Sequence, residues 1–330
     1  MDLDAYVAAN AAEWERLDRL SRGALDGEGA DELIEHYQAG AAQLSAIRTS
    51  VGESVQGDRL GLTLARARLR FTGTPGNLLR GLSRYAVLQL PAALYRVRWL
   101  TLVVAALTLL LAAIYGFWMS SDPRLVASLG SHAALRRYAE HDFVSYYSDN
   151  STGGFFGQVW TNNAFVAAKC VALGITLLGV PVVLFQNAQD LGQSAAVMNE
   201  FGRLPDFFLY ISPHGQLELY SIFTAAAAGL MIGWSWIAPG PMTRARALAA
   251  AGRSLFTIVG GVAASLLVSG LIEGFVTRQP WPWPVKIGLG TVAMAAFLVY
   301  QWVVGRRAAR AGETGDAGEF ESGPRQLVAA

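Results

Sequence analysis

His214 and Glu218 stand four residues apart in ISPHGQLELY, at the head of an apolar run from Ile222 to Ala238. An imidazole and a carboxylate at that spacing share one face of a helix. Such a pair can handle a proton, hold a ligand or fasten two helices. Lys169, Glu273 and Lys286 lie in or beside equally apolar runs, and those two lysines are the only ones in the chain. A charge at the centre of a membrane helix costs about 2.5–3.5 kcal/mol on translocon scales, so it persists where it is paired or used. HGQLE is not HExxH: one histidine and one carboxylate make half a metal site. The spacing of His132 and His141 does not complete it, so neither a metal nor a cofactor is assigned. GxSxG, SxxK and a Walker loop are missing too, and the chain reads as a non-enzyme. The single cysteine, Cys170, excludes a disulfide framework within one chain and any multi-cysteine metal site.

The elements that must position these residues belong to a membrane protein. Of the 330 residues 53% are hydrophobic and 15% charged, well below the roughly 25% charged of soluble domains. A net charge of +1 argues against a nucleic-acid footprint. The fold class expected is all-α: a polytopic helix bundle of about six spans behind an N-terminal soluble helical domain.

Residues 1–75 carry three apolar stripes of helical period. They are Val7, Ala11, Trp14, Leu17 and Leu20; Leu33, Tyr37, Ala41, Leu44 and Ile47; and Leu60, Leu64, Ala67 and Phe71. Asp2 or Asp4 is expected to cap the first helix and Asp31 the second. Residues 76–98 set an apolar face against Arg80 and Arg84 and then meet Pro91, which is expected to break the helix. They suit a juxtamembrane helix in the headgroup region or a fourth helix of the soluble domain. The bundle is expected over 99–304, with spans at Trp99–Ser121, Ala164–Gln189, Leu217–Ala238, Leu255–Thr277 and Ile287–Val304. The more polar 187–212 either crosses inside the bundle or is re-entrant. Arginines cluster before the first span, in 239–254 and after the last span, and these clusters share the cytoplasmic side if 187–212 crosses. Both termini are then cytoplasmic, 122–163 is outside, and 305–330 is a disordered cytoplasmic tail.

On that topology Lys169, His214, Glu218, Glu273 and Lys286 fall within roughly 10 Å of one plane near the outer face. Lys169 is expected to pair with Glu218 or Glu273, and Ser269 to donate to Glu273. Three readings stay open: an ion pair fixing the bundle register, a polar path or pocket open to the outside, or a docking site for a partner's membrane segment. Gly229 and Gly233, and Gly270 and Gly274, form GxxxG pairs that predict close helix contact at the cluster.

The stretches FFGQVWTNNAFVAAKC, ISPHGQLELYSIFTAAAAGLMIGW and SGLIEGFVT resemble the stage II sporulation protein M family, with usage similar to its actinobacterial branch. The likeness carries over to Asn162, Asn163, Pro213, His214, Gly215, Glu218 and Glu273. It implies a multi-pass protein of the bacterial inner membrane, and a non-catalytic scaffold or subunit of a peptidoglycan-remodelling complex. Its implied partners are the lipid bilayer with cell-wall hydrolases or a MoxR-like AAA ATPase, and no nucleic acid. A transporter- or channel-like protein using the charged cluster is the alternative.

Overall fold

The computed structural model describes residues 3–23, 27–52, 54–71, 78–145 and 152–316. It contains helices and no strand among them. The chain forms two units, Met1–Gly81 and Leu82–Ala330.

In the first unit α1 (Leu3–Arg22), α2 (Gly27–Ser50) and α3 (Val55–Phe71) bury Leu17, Leu33, Ile47, Leu60, Leu64 and Ala67 together. These are stripe residues, so the helical period alone selects this core. Where α2 passes the other two, a Cβ on Gly40 would press on Leu17 and Leu64 at 3.2 Å. The Trp14 indole donates to Gln43 Oε1 at 2.6 Å. On the surface Arg16 and Glu32 pair at 2.6 Å, and Arg16 holds the Glu32 carboxyl below its usual range. α2 begins a turn before Asp31, which therefore lies inside the helix and not at its cap. Asp2 lies outside the described residues.

α4 (Leu78–Arg84) straddles the boundary between the units, and a π turn (Tyr85–Gln89) and α5 (Leu90–Ser121) of the second unit follow it without interruption. Pro91 was expected to end a helix, but it occupies the first turn after the π register. The missing proline N–H costs least there. Residues 90–94 and Val97 are buried, and Tyr85 Oη donates to the Thr257 carbonyl at 2.8 Å. The part of this stretch from Leu82 on therefore belongs to the second unit and not to the core of the first.

α6 (Pro123–Ala127), α7 (His132–Arg137), a π turn (Tyr138–Asp142) and α8 (Phe143–Ser145) form a cap. The Asp122 side chain accepts from Arg124 N and the Ser131 side chain from Ala134 N, so α6 and α7 are side-chain capped. The cap buries Val126, Ala139 and Phe143 against Met198 and Phe207, with Phe143 stacked on Phe207 at 5.9 Å between centroids.

α9 (Thr152–Leu173) and α10 (Gly179–Glu200) come next, joined by a 3-10 turn at Gly174–Thr176 and by Leu177 at φ 58°. Ala164–Gln189 is thus not one span, and the segment that runs back is 179–200, not 187–212. Packing explains the break. A Cβ on Gly174 would lie 2.5 Å from the Gly229 backbone, and one on Gly179 2.5 Å from Leu173 Cβ. Pro181 sits in the first turn of α10, where proline is tolerated.

α11 (Leu204–Ile237) packs against α5, α9 and α10, and against α12 (Arg244–Leu271) and α13 (Trp283–Val299). It starts well before Ser212 and holds Pro213 in its interior. The Ser212 hydroxyl donates to the Phe208 carbonyl. α12 ends in a π turn (Ile272–Thr277), and α13 continues through another (Tyr300–Val304) into α14 (Gly305–Arg310). Beyond α14, Glu313 pairs with Arg84 at 3.0 Å and Asp316 with Arg253 at 2.6 Å. The first dozen residues of the expected disordered tail are therefore ordered, and 317–330 lie outside the described residues. Four helices among the described residues are long and apolar enough to cross a membrane: Gly81–Ser121, Leu204–Ile237, Arg244–Thr277 and Trp283–Arg310.

Candidate functional site

α11 presents His214 and Glu218 on one face, as the four-residue spacing requires. The π turn closing α12 brings in Glu273. One ligand-type atom from each of the three lies within 4.8 Å of the other two, and His214 Nε2 is 3.7 Å from Glu273 Oε1. His214 and Glu273 are buried, Glu273 at 3% exposure, while Glu218 is half-buried. Glu273 Oε2 has no hydrogen-bond partner among the described residues.

Three contacts set this geometry. The Ser269 hydroxyl donates to the His214 backbone carbonyl at 3.0 Å, tying α12 to α11; it was expected to serve Glu273. Gly290 on α13 lies against the Pro213 carbonyl so closely that any side chain there would collide. Lys286 Nζ donates to the Thr277 carbonyl at 2.8 Å and sits 4.1 Å from the Trp283 ring. Its charge closes the end of the π turn that carries Glu273, a favourable place for a cation at a helix C-terminus.

The triad faces a cavity of about 250 Å³. α9 contributes Asn162 and Asn163 to its wall, and α10 contributes Asn187, Asp190 and Ser194. Phe143 of the cap and Phe207 complete the wall. Among the described residues the lining holds three carboxylates and one imidazole but no lysine or arginine. Beneath the triad buried polar side chains bond one another, and an apolar cavity of about 340 Å³ lies beside them, lined by Leu94, Leu217, Ser265 and Phe297. Ser221 and Ser265 hydroxyls meet at 2.7 Å, and Tyr220 Oη donates to Gln301 Oε1 at 2.6 Å. Gln301 Nε2 reaches the Leu94 carbonyl at 3.0 Å. Ala225–Ala228 have at most 1% of their surface exposed.

The structure brings together His214, Gly215, Glu218, Glu273, Asn162 and Asn163 from the expected set, with Pro213 one residue before the triad. Lys169 does not join them. Its neighbour Cys170 lies with its carbonyl against Gly229, eleven residues from Glu218 on α11, or about 16 Å along the axis. Lys169 Nζ sits 4.6 Å from the Phe165 ring instead. The apolar run to Gln189 reads as one helix with Lys169 near its outer end; because the chain turns at 174–178, Lys169 falls near the other end. Gly229 and Gly233 make their contacts there too, with Cys170, Gly174 and Leu177 and not at the triad. Gly270 and Gly274 are buried on either side of Glu273. His132 meets Phe201 edge-on at 5.4 Å. His141 lies beside Asp142 at 3.4 Å, and Arg137 holds the Asp142 carboxyl below its usual range. Asn187, Asp190 and Ser194 were missed, although their spacing of three and four residues is a polar stripe on one helix face.

Comparison with known families gives two matches. Residues 104–278, just over half the chain, match the family described as Stage II sporulation protein M. Residues 4–73 match a domain of unknown function, which coincides with the three-helix unit. No curated protein and no solved structure matches the chain.

Proposed function

The chain belongs to the stage II sporulation protein M family, and from that premise we propose that it is a non-catalytic, multi-pass membrane subunit of a complex that remodels the cell envelope. The polar site is its receptor for a partner. The observation that carries this reading is the shape of the site, a polar cavity at one end of the bundle with a filled floor. Ser221, Thr224, Ala226, Ala227 and Ala228 are fully buried directly below the triad. A pocket that ends in packed side chains suits binding better than passage, so the transporter alternative takes second place. The lining of amides, acids and one imidazole is a set of binding groups.

In this reading α5, α9, α10, α11, α12 and α13 each cross the inner membrane, and both termini are cytoplasmic. The arginines support that orientation. Arg84 meets Glu313, Arg253 meets Asp316, and the Arg98 guanidinium lies 5.5 Å from the Trp302 ring. The arginines before the first crossing, after the fourth and after the last thus gather at one end, as the positive-inside rule expects. The cap 122–145 then lies outside, over the mouth of the cavity. Exposed apolar side chains such as Phe117 at 80% and Phe256 at 75% face lipid.

Affinity purification of the full chain from native membranes, with mass spectrometry, tests the proposal. Cell-wall hydrolases or a MoxR-like AAA ATPase are expected to co-purify, as the family resemblance implies, and to be lost with Glu218→Gln. Solute or ion flux in proteoliposomes that Glu218→Gln abolishes would replace this reading with the transporter.

A further inference from the structure

We infer that His214, Glu218 and Glu273 form a binding site for one divalent first-row transition cation, with Zn²⁺ the first choice. The inference goes beyond the receptor reading and stands without it.

Charge balance is the first argument. Among the described residues Glu273, which is buried, Glu218, which is half-buried, and Asp190, which is exposed, line one cavity with a single imidazole and no lysine or arginine. The nearest lysine in sequence, Lys286, spends its ammonium on the Thr277 carbonyl. Buried carboxylates need a counter-charge, and pairing or metal coordination are the usual ways to supply it. Glu273 is nearly fully buried, and its Oε2 has no hydrogen-bond partner among the described residues.

Distance is the second argument. At 3.7 Å, His214 Nε2 and Glu273 Oε1 are too far apart for a hydrogen bond. Two ligands on one tetrahedral zinc, each about 2.1 Å from the metal, stand about 3.4 Å apart. The observed separation is within a few tenths of that. Glu218, half-buried and on the cavity wall, has room to close the rest of the 4.8 Å envelope.

Ligand chemistry selects the metal. Hard cations such as Ca²⁺ and Mg²⁺ take oxygen ligands, whereas imidazole with carboxylate suits Zn²⁺ and its first-row neighbours. Three protein ligands leave a fourth position open. The cavity that the three residues line also carries Asn162, Asn163 and Asn187. Two carboxylates offset the two positive charges, so the loaded triad is neutral. The Ser269 hydroxyl on the His214 carbonyl and Lys286 on the π turn hold the two ligand-bearing segments in place before the metal arrives.

The test uses the full chain in detergent, stripped with a chelator, reloaded with Zn²⁺ and measured for metal content by mass spectrometry. The expected result is about one equivalent per chain, competitive with Co²⁺ and insensitive to excess Mg²⁺. Glu273→Gln and Glu218→Gln should each lower the affinity by more than the roughly 10–100-fold that loss of an outer-shell partner costs. Glu200→Gln, an exposed carboxylate outside the cavity, should retain the wild-type value. Cobalt loading adds a spectroscopic check, a visible ligand-field band in the wild type that Glu273→Gln removes. If a variant does not fold, thermal unfolding of the wild type decides, with Zn²⁺ raising the midpoint over the chelated sample. A folded wild type that takes up no more Zn²⁺ than Glu273→Gln, shows no Zn²⁺-dependent midpoint, or binds Mg²⁺ equally well overturns the proposal.

Discussion

Helix α11 makes two very different junctions about eleven residues apart. At Gly229 and Gly233 it meets Cys170, Gly174 and Leu177 with backbone against backbone, and no Cβ fits at either glycine. At His214 and Glu218 the same helix stands back from α9 and α10 and leaves a cavity of about 250 Å³ walled by polar groups. One junction is filled and the other is kept open. The contrast teaches a division of labour. Lipid offers no hydrophobic drive for helix association, so close packing of small residues must do that work. With the glycine end holding α9 and α11 together, the other end can carry uncompensated carboxylates without supplying cohesion. The π turn at Ile272–Thr277 fits the open junction, since such turns commonly mark functional positions in helices.

Four substitutions break or sharpen this contrast, in falling order of expected effect. Gly229→Leu places a side chain on the Cys170 carbonyl and should cost at least about 3 kcal/mol, the upper end of overpacking penalties. It should appear as failure to accumulate in membranes or a collapsed unfolding midpoint in detergent. Glu273→Gln removes a buried carboxylate but keeps its shape. Without added metal it should leave the unfolding free energy unchanged or raise it, by up to about 1–3 kcal/mol of relieved desolvation. A large loss of stability there would mean that the triad is structural cement. Ser265→Ala deletes the hydroxyl contact with Ser221 in the floor and should cost about 0.6 kcal/mol, at most about 1.7. The smallest effect concerns a carboxylate that does have its cation, Glu32 beside Arg16. Because the folded carboxyl titrates below its unfolded value, the pair contributes stability above the unfolded pKa and loses it as pH falls through the folded one. Arg16→Ala should move the Glu32 midpoint upward in side-chain NMR titration and change the unfolding midpoint little, since the pair is exposed.

Much of this was legible in the residues themselves. The stripes of the first unit are its core, and counting depth along the apolar runs already gathered His214, Glu218 and Glu273 at one level. The failures have a common cause, which is that hydropathy shows greasiness and not direction. Ala164–Gln189 is one apolar run, so the turn inside it was hidden, and Lys169 was assigned to the wrong end. Gly174, Gly179 and Pro181 carried the signal for that turn. Pro91 reads as a helix boundary because proline lacks an N–H, and Pro213 stands in a helix interior all the same. A π turn shelters the first, and neighbouring helices pack around the second. Asn187, Asp190 and Ser194 were overlooked because a polar stripe in a segment of uncertain crossing has no assigned partner face. The third ligand of the triad lies fifty-five residues beyond Glu218, and only folding brings it there.

Thiol accessibility in intact cells tests the central claim most directly, namely that the open junction is a dead-end pocket reached from outside. In a Cys170→Ala background, which removes the only cysteine, single cysteines at Ser194 and Ala226 are challenged with a membrane-impermeant thiol reagent. Ser194→Cys is expected to react from the outer side, and Ala226→Cys, in the packed floor, to stay unmodified from either side. Labelling of Ala226→Cys would reveal a path through the bundle. A Ser194→Cys that reacts only from the cytoplasmic side, or not at all, would contradict the account.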